Sequence, residues 1–191
     1  MNSNNLKPPL YFIALSTPMN IRKAIENIKL ELKNEFGVKH ALKLEAHITL
    51  QIPFRMPEER EPDLIERLQK FTKKQVVLDT RLNGFDRFAK NVIFVKVLDH
   101  DPYIKLHREL QEFMLNFIDL KSHEISSKIH PHITLATRDL KRGHFPGIWD
   151  HFKDKDISEE FKVENLQLLK HNGKTWDIVR KFKLGSGLEQ N

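Results

Sequence analysis

The residues of this chain best suited to chemistry sit in two copies of one tetrapeptide, His47-Ile48-Thr49-Leu50 and His132-Ile133-Thr134-Leu135. The copies stand 85 residues apart, close to half the length of a 191-residue chain. Histidine exchanges protons near neutral pH. A neutral imidazole takes a proton from an attacking oxygen, and an imidazolium gives one to a leaving oxygen. A threonine hydroxyl beside each histidine donates to the non-bridging oxygens of a phosphate, holding it and stabilising charge in the transition state. Two His-x-Thr units around one phosphorus are thus a device for in-line attack at a phosphodiester, above all a strained cyclic one. That step needs neither a metal nor a covalent intermediate. It predicts a bell-shaped activity profile around neutral pH.

The alternation in the motif says how it must be held. In a strand, successive side chains point to opposite faces. His and Thr then share one face, and Ile and Leu bury on the other. The elements around the two copies repeat in order. Tyr11 to Leu15 reads as a buried strand, and Asn20 to Phe36 as an amphipathic helix stopped by Gly37. The first motif strand runs from His47 to Ile52 and is closed by Pro53. A helix from Asp63 to Lys73 follows. Strands Gln75–Leu82 and Asn91–Leu98 come next, joined by a loop holding Asn83-Gly84.

The second round reuses Val92–Val97 as its opening strand. A helix from Tyr103 to Ile118, the motif strand Pro131–Thr137 and a helix from Phe145 to Phe152 follow. Strands Phe161–Leu169 and Thr175–Lys183 close the chain around a turn at His171-Asn172-Gly173. The hairpins favour an α+β fold with antiparallel pairing over a doubly wound parallel sheet. The duplication predicts a pseudo-two-fold pair of lobes, each giving its motif strand to a central groove. Residues 1–191 read as one bilobal domain, with flexible ends at 1–8 and 185–191.

Composition narrows the partners. Hydrophobic residues make up 39% and charged residues 30%, as in soluble globular proteins. No apolar run approaches the ~20 residues of a membrane helix, and the opening residues lack the basic-then-apolar pattern expected of a secretory signal. There is no cysteine, which excludes disulfide scaffolds and cysteine metal sites. A cytoplasmic monomer is the expectation. The net charge of +6 suits an anionic ligand such as RNA or a nucleotide.

With these residues in view, the chain resembles the 2H phosphoesterase superfamily, which includes the 2′-5′ RNA ligase and RNA 2′,3′-cyclic phosphodiesterase families. Both copies match its His-x-Thr/Ser-x signature, and the resemblance runs from about Pro9 to Lys183. It implies two antiparallel sheets flanking a central cleft, with helices outside. It implies metal-independent phosphodiester chemistry without a cofactor, with His47 and His132 as acid–base pair and Thr49 and Thr134 as phosphate ligands. Its implied substrate is an RNA terminus or a small nucleotide, and many members open 2′,3′-cyclic phosphates. Several RNA-acting members carry an arginine at the fifth position after the second histidine. That position is Thr137 here, and Arg138 follows. A one-residue shift flips the face of an extended strand, so Arg138 reaches the cleft only if the strand has ended.

Further candidates are Arg87 and Phe88, read as a basic–aromatic loop able to stack a base and hold phosphate, and Tyr11 on the opening strand. Trp149 and Trp176 read as core. His130-Pro131-His132 lacks the extra ligands of a metal site. Two alternatives stand beside the enzyme: a module that binds a nucleotide or RNA end without turnover, and 2′-5′ RNA ligation by reversal of the phosphodiester reaction.

Overall fold

The computed structural model describes residues 7–187. Its elements are β1 (Leu10–Ser16), α1 (Met19–Phe36), β2 (His47–Arg55), α2 (Glu61–Lys73), β3 (Leu78–Phe88), β4 (Val92–Val97), α3 (Asp101–Leu115), β5 (His132–Ala136), α4 (Phe145–Phe152), β6 (Ser158–Val163), β7 (Asn165–His171) and β8 (Trp176–Lys183). Local signals account for the helix ends. Gly37 takes φ 71° after α1, in the left-handed region that only glycine enters without strain, and its amide donates to the Lys33 carbonyl. Proline stands in the first turn of α2, α3 and α4, where an amide would have no partner.

The strands form two antiparallel four-stranded sheets, ordered β2-β1-β7-β8 and β5-β4-β3-β6. Each motif strand is the edge of its sheet, which explains how β2 accommodates Pro53. The two edges face each other, with Cα atoms of β2 and β5 within 8 Å. The helices cross over between the halves: α1 approaches β5, and α3 approaches β2. This is the expected pseudo-two-fold, two-sheet arrangement.

Several boundaries differ from expectation. Phe161–Leu169 is two strands, β6 and β7, which part at Glu164 and join different sheets. Asn83-Gly84 is a bulge inside β3, where the register shifts between Leu82 and Phe85. The reversal comes later, at 89–90, with Ala89 at φ 47°. Residues 185–187 are tied down, since Gly185 donates to Thr72 O and Gly187 to Lys73 O. Of the expected flexible end at 1–8, Pro8 O accepts from Arg55 Nη1, while 1–6 and 188–191 lie outside the described residues.

The main core lies between the sheets and the helices. Tyr11, Ile13 and Leu15 of β1 enter it from one face of their sheet. Phe12 and Ala14 turn the other way, into a small cluster with Leu169, Leu44 and Trp176. Two polar bridges fix the halves together. Glu124, 3% exposed, accepts from the Arg55 and Lys121 amides. Asp139, just after β5, accepts from the amides of Lys39 and His40, which precede β2. No helix among the described residues is long and apolar enough to cross a membrane.

Candidate active site

The pairing registers set which side chains share the cleft face. His47 pairs with Ser16 and Thr49 with Ala14. In the other sheet, His132 pairs with Lys96 and Thr134 with Phe94. Ile48, Leu50, Ile133 and Leu135 are buried in the core behind them. Both histidines are half-buried and are held in the same way. His47 Nδ1 lies 2.8 Å from Glu45 O, and His132 Nδ1 lies 2.6 Å from His130 O. A carbonyl only accepts, so Nδ1 carries the proton in each ring. In the neutral ring, Nε2 is then left with its lone pair free.

A cleft of about 380 Å³ opens beside His47, lined by it together with Thr49 and Thr134; His132 is not among the residues that line it. That volume is in the range of small-molecule sites. No acidic side chain is among its lining residues, whereas Lys29, Lys43, Arg138 and Lys174 are. One wall is aromatic. Trp176 meets Phe12 edge-on at 4.5 Å and His171 at 4.9 Å, and Phe12 reaches His47 at 5.5 Å. The rim is braced where Thr175 Oγ1 donates to Lys43 O, tying the β7–β8 turn to the 3-10 turn His40–Lys43.

The two imidazoles differ electrostatically. Burial pushes the His47 imidazolium down to about 4, and the positive charges of Lys29 and His132 add to this. The hydrogen bond to Glu45 O opposes it. His132 is also lowered, first by burial and then by His130, against the His130 carbonyl. Its neighbours are aromatic: Phe88 and Phe94 each lie 5.0 Å away, and Phe88 also meets His130 at 5.2 Å.

The remaining expected residues divide. Phe88 reaches the second motif histidine, but from the end of β3 and not from a loop. Arg87 does not join it. One residue back along a strand it faces the other way, over the rings of Phe145 and Trp149 at 5.6 and 5.3 Å. Tyr11, expected at the cleft, does not face it: it is fully buried, stacked on Phe54, with its hydroxyl donating to Glu61 Oε2. The cleft residue of that strand is Phe12.

Arg138 does line the cleft. The strand ends at Ala136, and Arg138 takes φ 61°, so the strict alternation of faces no longer governs it. Trp176, expected in the core, lines the cleft as well. Lys29 was missed, although its place three residues before Leu32 and four after Ile25 puts it on the buried stripe of α1. Away from the cleft, Glu31, Glu35 and His151 bring three ligand atoms within 4.8 Å, where the Lys155 ammonium already hydrogen-bonds Glu31 and His151.

The chain is similar to other proteins over most of its length. A provisionally named phosphoesterase of Geobacillus sp. (strain WCH70) is 24% identical over 172 residues, 88% of this chain and 94% of its own length. Another, from Halalkalibacterium halodurans, is 26% identical over 162 residues, 81% of this chain and 90% of its own. Among solved structures, TT0787 of Thermus thermophilus matches with a TM-score of 0.66 at 20% identity, covering 92% of this chain and 98% of that one. E. coli LigT in apo form matches at 0.62 and 16%, covering 93% and 98%. LigT has also been solved with 3′-AMP, phosphate and ATP. At these identities the structural likeness is one of fold. The sequence profile of the 2′-5′ RNA ligase superfamily spans residues 17–175, a stretch that contains both motif strands, and the chain belongs to that superfamily.

Proposed function

We propose that this protein is a two-histidine phosphoesterase that opens a 2′,3′-cyclic phosphate on a nucleotide or an RNA end. The observation that carries the reading is the matched pair of histidines, each bonded through Nδ1 to the carbonyl two residues before it. His47 is the base, since it is the imidazole held lower and is neutral at ordinary pH. It takes a proton from water as the water oxygen bonds to phosphorus. His132, protonated, gives its proton to the ribose oxygen as that P–O bond breaks. The product is a phosphomonoester with a free neighbouring hydroxyl. Thr49 and Thr134 hold the non-bridging oxygens. Both proton transfers are then supplied by side chains, so the step requires no metal ion.

The cleft's lining supports a nucleotide. Phe12 and Trp176 offer an apolar wall for a base, and Lys43, Lys174 and Arg138 a cationic surround for its phosphate. The nucleotides found with LigT, of like fold, agree with this.

The test is hydrolysis of 2′,3′-cyclic nucleotides and cyclic-phosphate-ended RNA oligomers with a chelator present, wild type beside His47→Ala and His132→Ala. Turnover that survives the chelator and collapses in both variants is expected. Folded wild-type protein that turns over none of these substrates refutes the proposal.

A further inference from the structure

Lys29 is a charged group in an apolar place. It lies on the buried stripe of α1 and is 4% exposed. Its Nζ donates to the Ala41 and Leu44 carbonyls at 3.0 Å each. Those are its hydrogen-bond partners among the described residues, and neither carries a charge. Two of the three ammonium protons are thereby used. A buried ammonium is retained in a fold when something compensates its charge. Lys29 lines the cleft with His47, Thr49 and Thr134, so an anion lying there would be that compensation.

We propose that Lys29 is a positioning residue of the two-histidine site: pinned by the Ala41 and Leu44 carbonyls, its ammonium reinforces the burial that favours an uncharged His47 and draws a phosphate group into the cleft. The part about His47 rests on the reading of the site given above. The surrounding charges are consistent with it. Glu26, on α1 itself, favours the charged form of Lys29 from a distance, while burial pulls the ammonium down to about 8. From β2 the neighbour is His47, which also feels His132 of β5. His40 and Lys43 of the 3-10 turn and Arg138 beyond β5 line the same cleft, and all are neutral or cationic. A single phosphate would be the only negative charge among the groups that line the cleft. The carbonyl pair also gives Lys29 a mechanical role, since Ala41 and Leu44 belong to the segment that leads into β2.

The experiment follows the His47 ring by NMR through a pH titration in wild type, Lys29→Gln and Lys29→Arg. Glutamine keeps two N–H donors for the two carbonyls and removes the charge. The expected result is a His47 midpoint about one pH unit higher in Lys29→Gln and near the wild-type value in Lys29→Arg. The acid limb of kcat/KM should move with it. An unchanged midpoint in folded Lys29→Gln overturns the assignment.

A second arm needs no variant. Sulfate remains a dianion across the range, and its affinity for wild-type protein is measured from about pH 7 to about pH 9.5, a range that brackets a lowered lysine. A protonated Lys29 binds the anion and a neutral one does not, so affinity should fall as pH rises through the lysine's midpoint, well below that of ordinary lysines. A flat affinity overturns the anion half of the proposal. Both arms read without turnover. A shifted His47 in a protein that hydrolyses no cyclic phosphate would leave Lys29 assigned and refute the proposed reaction instead.

Discussion

The two motif strands are identical over four residues, sit at equivalent sheet edges and hold their histidines by the same carbonyl bond. Their surroundings are not alike. Burial pushes the His47 imidazolium down to about 4, with the Lys29 and His132 charges adding to it, and Phe12 lies 5.5 Å from its ring. His132 sits against Phe88, Phe94 and His130, and is lowered without a lysine among its causes. In the proposed reaction the motif supplies the proton-transfer groups. Residues outside it, on α1 in one lobe and on β3 and β4 in the other, would then divide them into base and acid. Duplication builds the symmetry and the neighbours break it, which acid–base chemistry at one phosphorus demands.

The most severe way to break the comparison is to delete either ring. His47→Ala and His132→Ala should each lower kcat on a 2′,3′-cyclic nucleotide by about 10²–10⁴-fold. The double variant should fall little further, because the pair acts as a unit. Steady-state kinetics of the three variants decides this. Next come the hydroxyls. Thr49→Val and Thr134→Val should each cost roughly 10²-fold in kcat, with similar values if the two-fold symmetry extends to the phosphate ligands. Unequal losses would show that the asymmetry reaches the threonines as well.

Smaller effects test what joins and separates the lobes. Asp139→Ala releases the Lys39 and His40 amides. The partly exposed carboxylate contributes about 1 kcal/mol, a Tm fall of roughly 2–4 °C by calorimetry. The pH profile of kcat/KM should rise through about 4 as His47 loses its proton. It should fall again as His132 loses its own, at a pH below 6.5. The optimum therefore lies on the acid side of neutrality rather than around it. Phe88→Ala admits water to His132 and relieves the burial that lowers it. The alkaline limb should move up by less than about one pH unit while the acid limb stays put. Movement of the acid limb instead would reverse the assignment of base and acid.

Strand alternation made the motif legible, since period two in His-Ile-Thr-Leu assigns faces without knowledge of the partners. Proline and glycine placed the helix ends. Face assignment fails wherever it depends on register. Tyr11 and Phe12 are adjacent aromatics on one strand, and which one meets the cleft follows from Ser16 pairing with His47. That pairing is a tertiary fact. Arg87 and Phe88 were separated in the same way, once the Asn83-Gly84 bulge had set the phase of β3. Arg138 needed a backbone angle that propensity does not supply, φ 61° at a residue other than glycine. The parting of β6 from β7 at Glu164 has no turn residue to announce it. Lys29 was the one omission with a readable signal, a lysine in phase with Ile25 and Leu32.

The sheet orders carry a consequence for how the protein is made. β1, the first described strand, lies between β2 and β7, and β7 and β8 are the last of the described strands to be synthesised. Until Asn165–His171 has left the ribosome, β1 has one unpaired side, and the Phe12 face lacks Leu169 and Trp176. An open strand edge is a template for association with other chains, and contacts between distant residues form slowly. The nascent chain therefore carries an incomplete cleft until β7 and β8 have been made. A chain interrupted before β7 would hold both motif histidines and still lack one wall of the cleft.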